Sequence, residues 1–99
     1  MVKVFGKLVV GNNVAFVPLW ESDSEHITDL CEWSLLEEDQ EPTNRFSVSS
    51  NDIHLMVQEL LGDYYGNDAD PDLLDAVVDL VILARMMDSE HEYFVDIIK

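Results

Sequence analysis

Residues 2–20 read VKVFGKLVVGNNVAFVPLW. Two runs rich in Val, Leu and Phe, Val2–Val10 and Val14–Trp20, flank Gly11-Asn12-Asn13, the pattern of a β-hairpin with a two- or three-residue turn. Pro18 has no amide hydrogen to give to a ladder, so it places the second strand at a sheet edge or a bulge. A hairpin cannot bury its own apolar face, and the chain beyond Trp20 is patterned mainly as helix. The expected fold is therefore α+β: an N-terminal β-hairpin packed against about three helices in one domain spanning residues 1–99.

Ser22 with Glu25 three residues on is a capping-box pattern opening a helix from about Asp23 to Glu38. Ile27, Leu30, Cys31, Ser34 and Leu35 share one face of it, and Trp33 and Leu36 fall off that face. The acidic segment Glu37-Glu38-Asp39-Gln40-Glu41-Pro42 closes it, and carboxylates at a helix C-terminus oppose the macrodipole. Phe46 and Val48 indicate a short strand. Ser49 with Asp52, or Ser50 alone, then caps a second helix of about Asn51–Tyr65, with Ile53, Met56, Val57, Leu60, Leu61 and Tyr64 as its apolar stripe. Asp70 as N-cap before Pro71 starts a third helix running to about Met87. Nearly every residue from Leu73 to Met87 is apolar apart from Asp75, Asp79 and Arg85, so this helix should be central and buried, or should dimerise. Ser89 and Glu92 form another capping pattern, but Tyr93–Ile98 is β-prone; a closing strand added to the hairpin is the expectation.

Charge is the dominant feature of the remaining sequence. The chain has 99 residues with 21 Asp+Glu against 5 Lys+Arg, a formal net charge of -16. Small soluble domains are typically comfortable with a magnitude of roughly 2–8, and an excess opposes folding by self-repulsion. Every carboxylate lies after residue 20, and the long runs without a basic residue are Leu8–Asn44 and Phe46–Ala84. Disorder is not the explanation, because 47% of the residues are hydrophobic. Nucleic acid and anionic membrane surfaces would be repelled, so the expected partner is a basic protein and not a nucleic acid or a membrane. A single cysteine, no signal-peptide pattern and no apolar run of about 18–20 residues lead to a cytoplasmic expectation, the host cytoplasm for a phage-encoded chain.

Asp72, Asp75 and Asp79 fall at i, i+3 and i+7 on one helical face, with neighbours about 5–6 Å apart. Asp68 and Asp70 extend the row upstream, and Asp52, Glu59 and Asp63 share a polar face of the preceding helix. Such spacing is close to that of successive phosphates along a nucleic-acid strand. A folded chain of this mass exposes on the order of 5,700 Å². Its net charge, spread evenly, is then roughly one per 360 Å², against roughly one per 110 Å² for a DNA cylinder. Even coating falls about threefold short of DNA; concentration on one face would close the gap. Carboxylate runs ordinarily coat solvated helix faces, but such faces mix signs, and here interleaved Lys or Arg is nearly absent.

Other chemistry finds little support. Asp68-x-Asp70-x-Asp72 lacks the Gly and Glu that an EF-hand loop requires at its sixth and twelfth positions, which hold Leu73 and Asp79. The acidic turn and apolar helix of Asp70–Ile82 resemble acyl carrier proteins, but the serine that follows their aspartate is Leu73 here, leaving the prosthetic group no attachment point. His26, His54 and His91 are dispersed, and Cys31 sits on an apolar stripe as a small hydrophobe. No catalytic residues, metal or cofactor are expected.

By functional class the chain resembles the acidic DNA-mimicking proteins of phages and mobile elements, such as anti-restriction and anti-CRISPR proteins. That resemblance rests on size, charge and helix-borne carboxylate rows. It implies a small non-enzymatic inhibitor whose acidic surface occupies a basic, nucleic-acid-binding protein. The candidate partner-binding residues are Glu37, Glu38, Asp39, Glu41, Glu59, Asp63, Tyr65, Asp68, Asp70, Asp72, Asp75 and Asp79, with Tyr65 as an aromatic anchor. The alternatives are an immunity protein against a basic toxin, and a small acidic dimeric secretion chaperone or adaptor.

Overall fold

The computed structural model describes residues 1–35, 45–66 and 70–98. The element order is β1 (Val2–Val10), β2 (Asn13–Ser22), α1 (Glu25–Leu35), β3 (Phe46–Val48), α2 (Ser50–Gly66), α3 (Pro71–Met86) and β4 (Tyr93–Ile97). The four strands form one antiparallel sheet in the order β2-β1-β4-β3. The architecture is α+β, with the expected hairpin at its start and three helices.

The hairpin closes through Gly11 and Asn12. Gly11 has φ 62° and Asn12, like every other described non-glycine residue, does not have positive φ, the combination of a type II′ turn with glycine at its first central position. Pro18 does what its chemistry requires. β2 is an edge strand, and the register slips beside Pro18, where Val4 pairs with Trp20 but Phe5 pairs with Pro18, leaving Leu19 as a bulge. The C-terminal segment is the closing strand: β4 lies between β1 and β3, pairing Val4 with Val95 and Phe46 with Val95 from either side.

The helix starts are set by local hydrogen bonding. Ser49 and Asp52 form the expected capping box, the Asp52 carboxylate accepting from the Ser49 N–H at 2.8 Å and the Ser49 hydroxyl from the Asp52 N–H at 3.2 Å. Asp70 caps α3 by accepting from the Asp72 N–H at 3.0 Å, with Pro71 in the first turn. α1 departs from expectation. Ser22 is still strand, buried and paired with Val2, and its hydroxyl accepts from the Ser24 N–H at 3.1 Å. The ladder holds Ser22 extended, so the N-cap is Ser24, whose hydroxyl accepts from the Ile27 N–H at 3.4 Å.

One face of the sheet and all three helices close a single core. Val2, Val4, Val48, Tyr93 and Val95 face Ile27, Cys31, Ile53, Met56, Leu60, Leu73, Leu80 and Leu83, all buried. The space among them is a void of about 10 Å³, at most one water, and its apolar lining favours none. The third helix, expected to be central and buried or else to dimerise, buries one face and exposes the other. Leu73, Ala76, Val77, Leu80 and Leu83 of α3 are buried, but Leu74, Val78, Val81, Ile82 and Met86 are exposed. In a two-layer fold a helix has one face to bury, and among the described residues no further layer covers the other.

Leu80 is 0% exposed and Val78 is 56% exposed. Leu80→Ala should therefore cost about 3–5 kcal/mol in urea unfolding. Val78→Ser should change stability by less than about 0.5 kcal/mol, although both residues are apolar and only two positions apart.

Candidate functional site

Burying Leu73, Ala76, Val77 and Leu80 turns the Asp72, Asp75 and Asp79 side of α3 towards the first turn of α1. There the Ser24 cap sets Glu25 and His26 against it. These residues line a groove of about 290 Å³ whose walls are Glu25, Asp72, Asp75 and Asp79, with His26 at one end. The His26 Nε2 lies 3.8 Å from the Asp70 carboxylate, which joins the α3 N-cap to α1. No Lys or Arg lines this groove among the described residues. Four carboxylates thus share one concave surface without an internal cation.

The described Lys and Arg residues lie elsewhere, and three of them are paired. Lys3 pairs with Glu21 at 3.8 Å and Lys7 with Glu92 at 3.4 Å. Arg45 makes a two-pronged contact with Asp96, 3.0 Å on each arm. Its guanidinium lies 4.5 Å from the ring centres of both Phe5 and Phe16, and Phe16 meets Phe94 edge-on at 5.4 Å. The Asp96 hydrogen bonds hold the Arg45 pKa above its already high ordinary value. All three pairs sit on the sheet face that the helices leave open, the face of Lys3, Phe5, Lys7, Phe94 and Asp96. Arg85 is in the last turn of α3, where a cation complements the helix dipole.

The other sequence-derived candidates scatter. Glu59 and Asp63 line a separate groove of about 490 Å³ along α2, with Leu55 and Gln58. Tyr65 is 79% exposed in the last turn of α2 and packs edge-on against Tyr64 at 5.1 Å. Glu37, Glu38, Asp39, Glu41 and Asp68 lie outside the described residues. Glu25 and His26 join the groove although the sequence pattern does not single them out for it. Glu25 carries a local signal, as part of a capping pattern, but its position against α3 depends on the tertiary packing of two helices.

The remaining reactive groups have structural surroundings. Burial, with a smaller contribution from the Glu32 charge, pushes the Cys31 thiol up to about 12, so it stays protonated at neutral pH. The His91 ring and the N–H groups of His91 and Glu90 bond the Asp88 carboxylate, holding it below the usual carboxylate range. Because that pKa is lowered in the folded state, its contribution is present at neutral pH and is lost as pH falls through the folded value. Among the described residues, no three His, Cys, Asp or Glu side chains converge closely enough to hold a metal ion. No helix there is long and apolar enough to cross a membrane.

No protein-family model matches this sequence, and neither a curated protein nor a solved structure matches it.

Like charges at helical spacing repel by about 0.2–0.5 kcal/mol per pair, and Asp75 faces both Asp72 and Asp79, so Asp75→Asn should raise the thermal midpoint by about 2–8 °C at low ionic strength, and added salt should shrink the gain. Cys31 should react with a thiol reagent at the rate of unfolding, so labelling in native buffer should be far slower than in urea.

Proposed function

We propose that this protein is a small non-enzymatic inhibitor presenting an acidic, nucleic-acid-mimicking surface to a basic nucleic-acid-binding protein, in the manner of phage and mobile-element anti-defence proteins. The observation that carries the reading is the groove of Glu25, Asp72, Asp75 and Asp79, which no lysine or arginine neutralises among the described residues. Asp72, Asp75 and Asp79 are spaced by about 5–6 Å along α3, so they offer a row of negative groups on a rigid support. Lys or Arg side chains of a nucleic-acid channel would meet carboxylates where they otherwise meet phosphates.

The electrostatics favour this use. The positive groups on the sheet are already paired with Glu21, Glu92 and Asp96, so they add no local attraction for nucleic acid. The net charge of -16 would steer a basic partner during diffusional encounter and speed association. Helix α3 itself is anchored by Leu73, Leu80 and Leu83 in the core, so the row is held without reorganisation on binding.

A second reading, the small acidic secretion chaperone or adaptor, draws on a different observation. Leu74, Val78, Val81, Ile82 and Met86 leave an apolar face along α3 in contact with water, a surface suited to an apolar segment of a client. The two readings respond oppositely to salt.

A tagged pull-down from nuclease-treated lysate of the host should recover a basic nucleic-acid-binding protein. Its affinity should fall at least tenfold between about 50 and 200 mM salt, in line with several ion pairs being formed. Replacing Asp72, Asp75 and Asp79 together by Lys should abolish the complex while circular dichroism stays unchanged. Affinity indifferent to salt and to that triple reversal would sink the acidic-mimic reading, and affinity that rises with salt would favour hydrophobic capture on α3.

A further inference from the structure

From Leu8 to Val17 the β1–β2 ribbon runs on past the rest of the sheet. β4 pairs with β1 only over Val2–Gly6, with one further bond from the Lys7 N–H to the Glu92 carbonyl. Every residue from Leu8 to Pro18 is exposed. Leu8, Val9, Val10, Val14, Phe16 and Val17 keep between 40% and 63% of their surface in water. Their register places Leu8, Val10, Ala15 and Val17 on one side of the ribbon and Val9, Val14 and Phe16 on the other. The ribbon is thus apolar on both faces. A lone two-stranded ribbon is marginal in water, and an apolar, uncharged edge is a template for another strand. Pro18 and the Leu19 bulge blunt the base of β2, but nothing of that kind guards Asn13–Val17.

We infer that this ribbon is a homodimerisation arm, in which the β2 strands of two copies pair antiparallel across a two-fold axis at Ala15. The turn geometry sets which groups are available. In a two-residue hairpin the residues flanking the turn, Val10 and Asn13, exchange hydrogen bonds, and the pattern alternates from there. Leu8 and Ala15 are then bonded to each other, and the N–H and C=O of Val14 and Phe16 point outward. A two-fold axis at Ala15 sets Val14 opposite Phe16 of the partner copy in a hydrogen-bonded pair. Ala15 meets its own counterpart in the close, non-bonded position, where a small side chain fits.

Charge selects a second copy as the occupant. Leu8–Trp20 contains no charged side chain of its own, and the Arg45 guanidinium over Phe16 is paired with Asp96, so the outer edge of β2 can meet its copy without apposing two acidic rows. The rival surface, the exposed face of α3, has Asp75 beside Leu74 and Asp79 beside Val78, and apposing two such helices would crowd the acidic rows. The antiparallel arrangement also separates the bodies. Seven residues from Ala15 to Ser22 on each side, at about 3.3 Å per residue, put the two Ser22 residues about 46 Å apart. That is several times the screening length of about 8 Å at physiological ionic strength. The pairing sets Val14 beside Phe16 of the partner copy on one ribbon face, so the contact is made by the strand edge and its cross-strand side chains.

Sedimentation velocity should show a concentration-dependent species of twice the 11.3 kDa chain mass. Salt should leave it unchanged or tighten it, the opposite of the response proposed for the acidic groove. Val14→Pro removes an outward amide without touching the β1–β2 bonds and should raise the dissociation constant at least tenfold, with the thermal midpoint of the monomer preserved. Ala15→Cys should form an intermolecular disulfide on mild oxidation, whereas the natural chain, with Cys31 buried, should not. A chain that stays monomeric at all concentrations would overturn the inference, as would an arm captured instead by a foreign protein. A dimer that survives Val14→Pro and fails to crosslink through Cys at position 15 would place the interface elsewhere and overturn it equally.

Discussion

The apolar contact between one face of the sheet and the inner sides of three helices sustains everything else in this molecule. Val2, Val4, Val48, Tyr93 and Val95 from three sequence-distant strands meet Ile27, Ile53, Met56, Leu80 and Leu83 with almost no void. That contact has to offset not only chain entropy but the mutual repulsion of an excess of carboxylates. It does so with one core layer, which is why single positions such as Leu80 matter so much. Among the described residues, the same one-sided construction leaves three surfaces without a cover: the open sheet face, the outer side of α3 and the ribbon beyond Gly6.

The charge is sorted by this architecture. Lys3, Lys7 and Arg45 fall on the open face of the sheet and pair with Glu21, Glu92 and Asp96 there, so that face is close to locally neutral. Arg45 does more than balance a charge, because its guanidinium also covers Phe5 and Phe16, shielding aromatic surface that no helix reaches. Glu25, Asp72, Asp75 and Asp79 line their shared groove with no Lys or Arg among the described residues. Neutral sheet, acidic helical flank and uncharged apolar ribbon are three chemically distinct sectors of one small surface. The functional proposal uses the second sector and the dimer uses the third, so the two can coexist without competing for residues.

Local chemistry was the most legible part of the sequence. Gly11-Asn12 as a turn, Pro18 as an edge and bulge residue, the Ser49–Asp52 box and the Asp70-Pro71 start are all decided by a few neighbouring atoms, and each is where the residue types require it. Ser22 was misleading for a tertiary reason: its pairing with Val2 extends the strand, and Ser24 takes over as cap. The apolar run of α3 left two readings open, a central buried helix or a dimer seam. Composition cannot tell a helix buried all round from a helix with one covered face, because that depends on how many layers the fold has.

For the candidate site the division is similar. The row Asp72, Asp75, Asp79 could be read directly, because helical periodicity alone puts those carboxylates on one face. That Glu25 and His26 complete a groove with them, while Glu59 and Asp63 line another, was decided only by the packing of α1 and α2 against the sheet. The amino-acid sequence by itself determined the α+β class, the helix caps, the hairpin and the sign and size of the charge, since these arise from interactions within a few residues or from composition. Tertiary structure alone decided which carboxylates share a surface, where the cations are neutralised and how far the ribbon outruns β4, since each is a distance between segments that only the common core brings together.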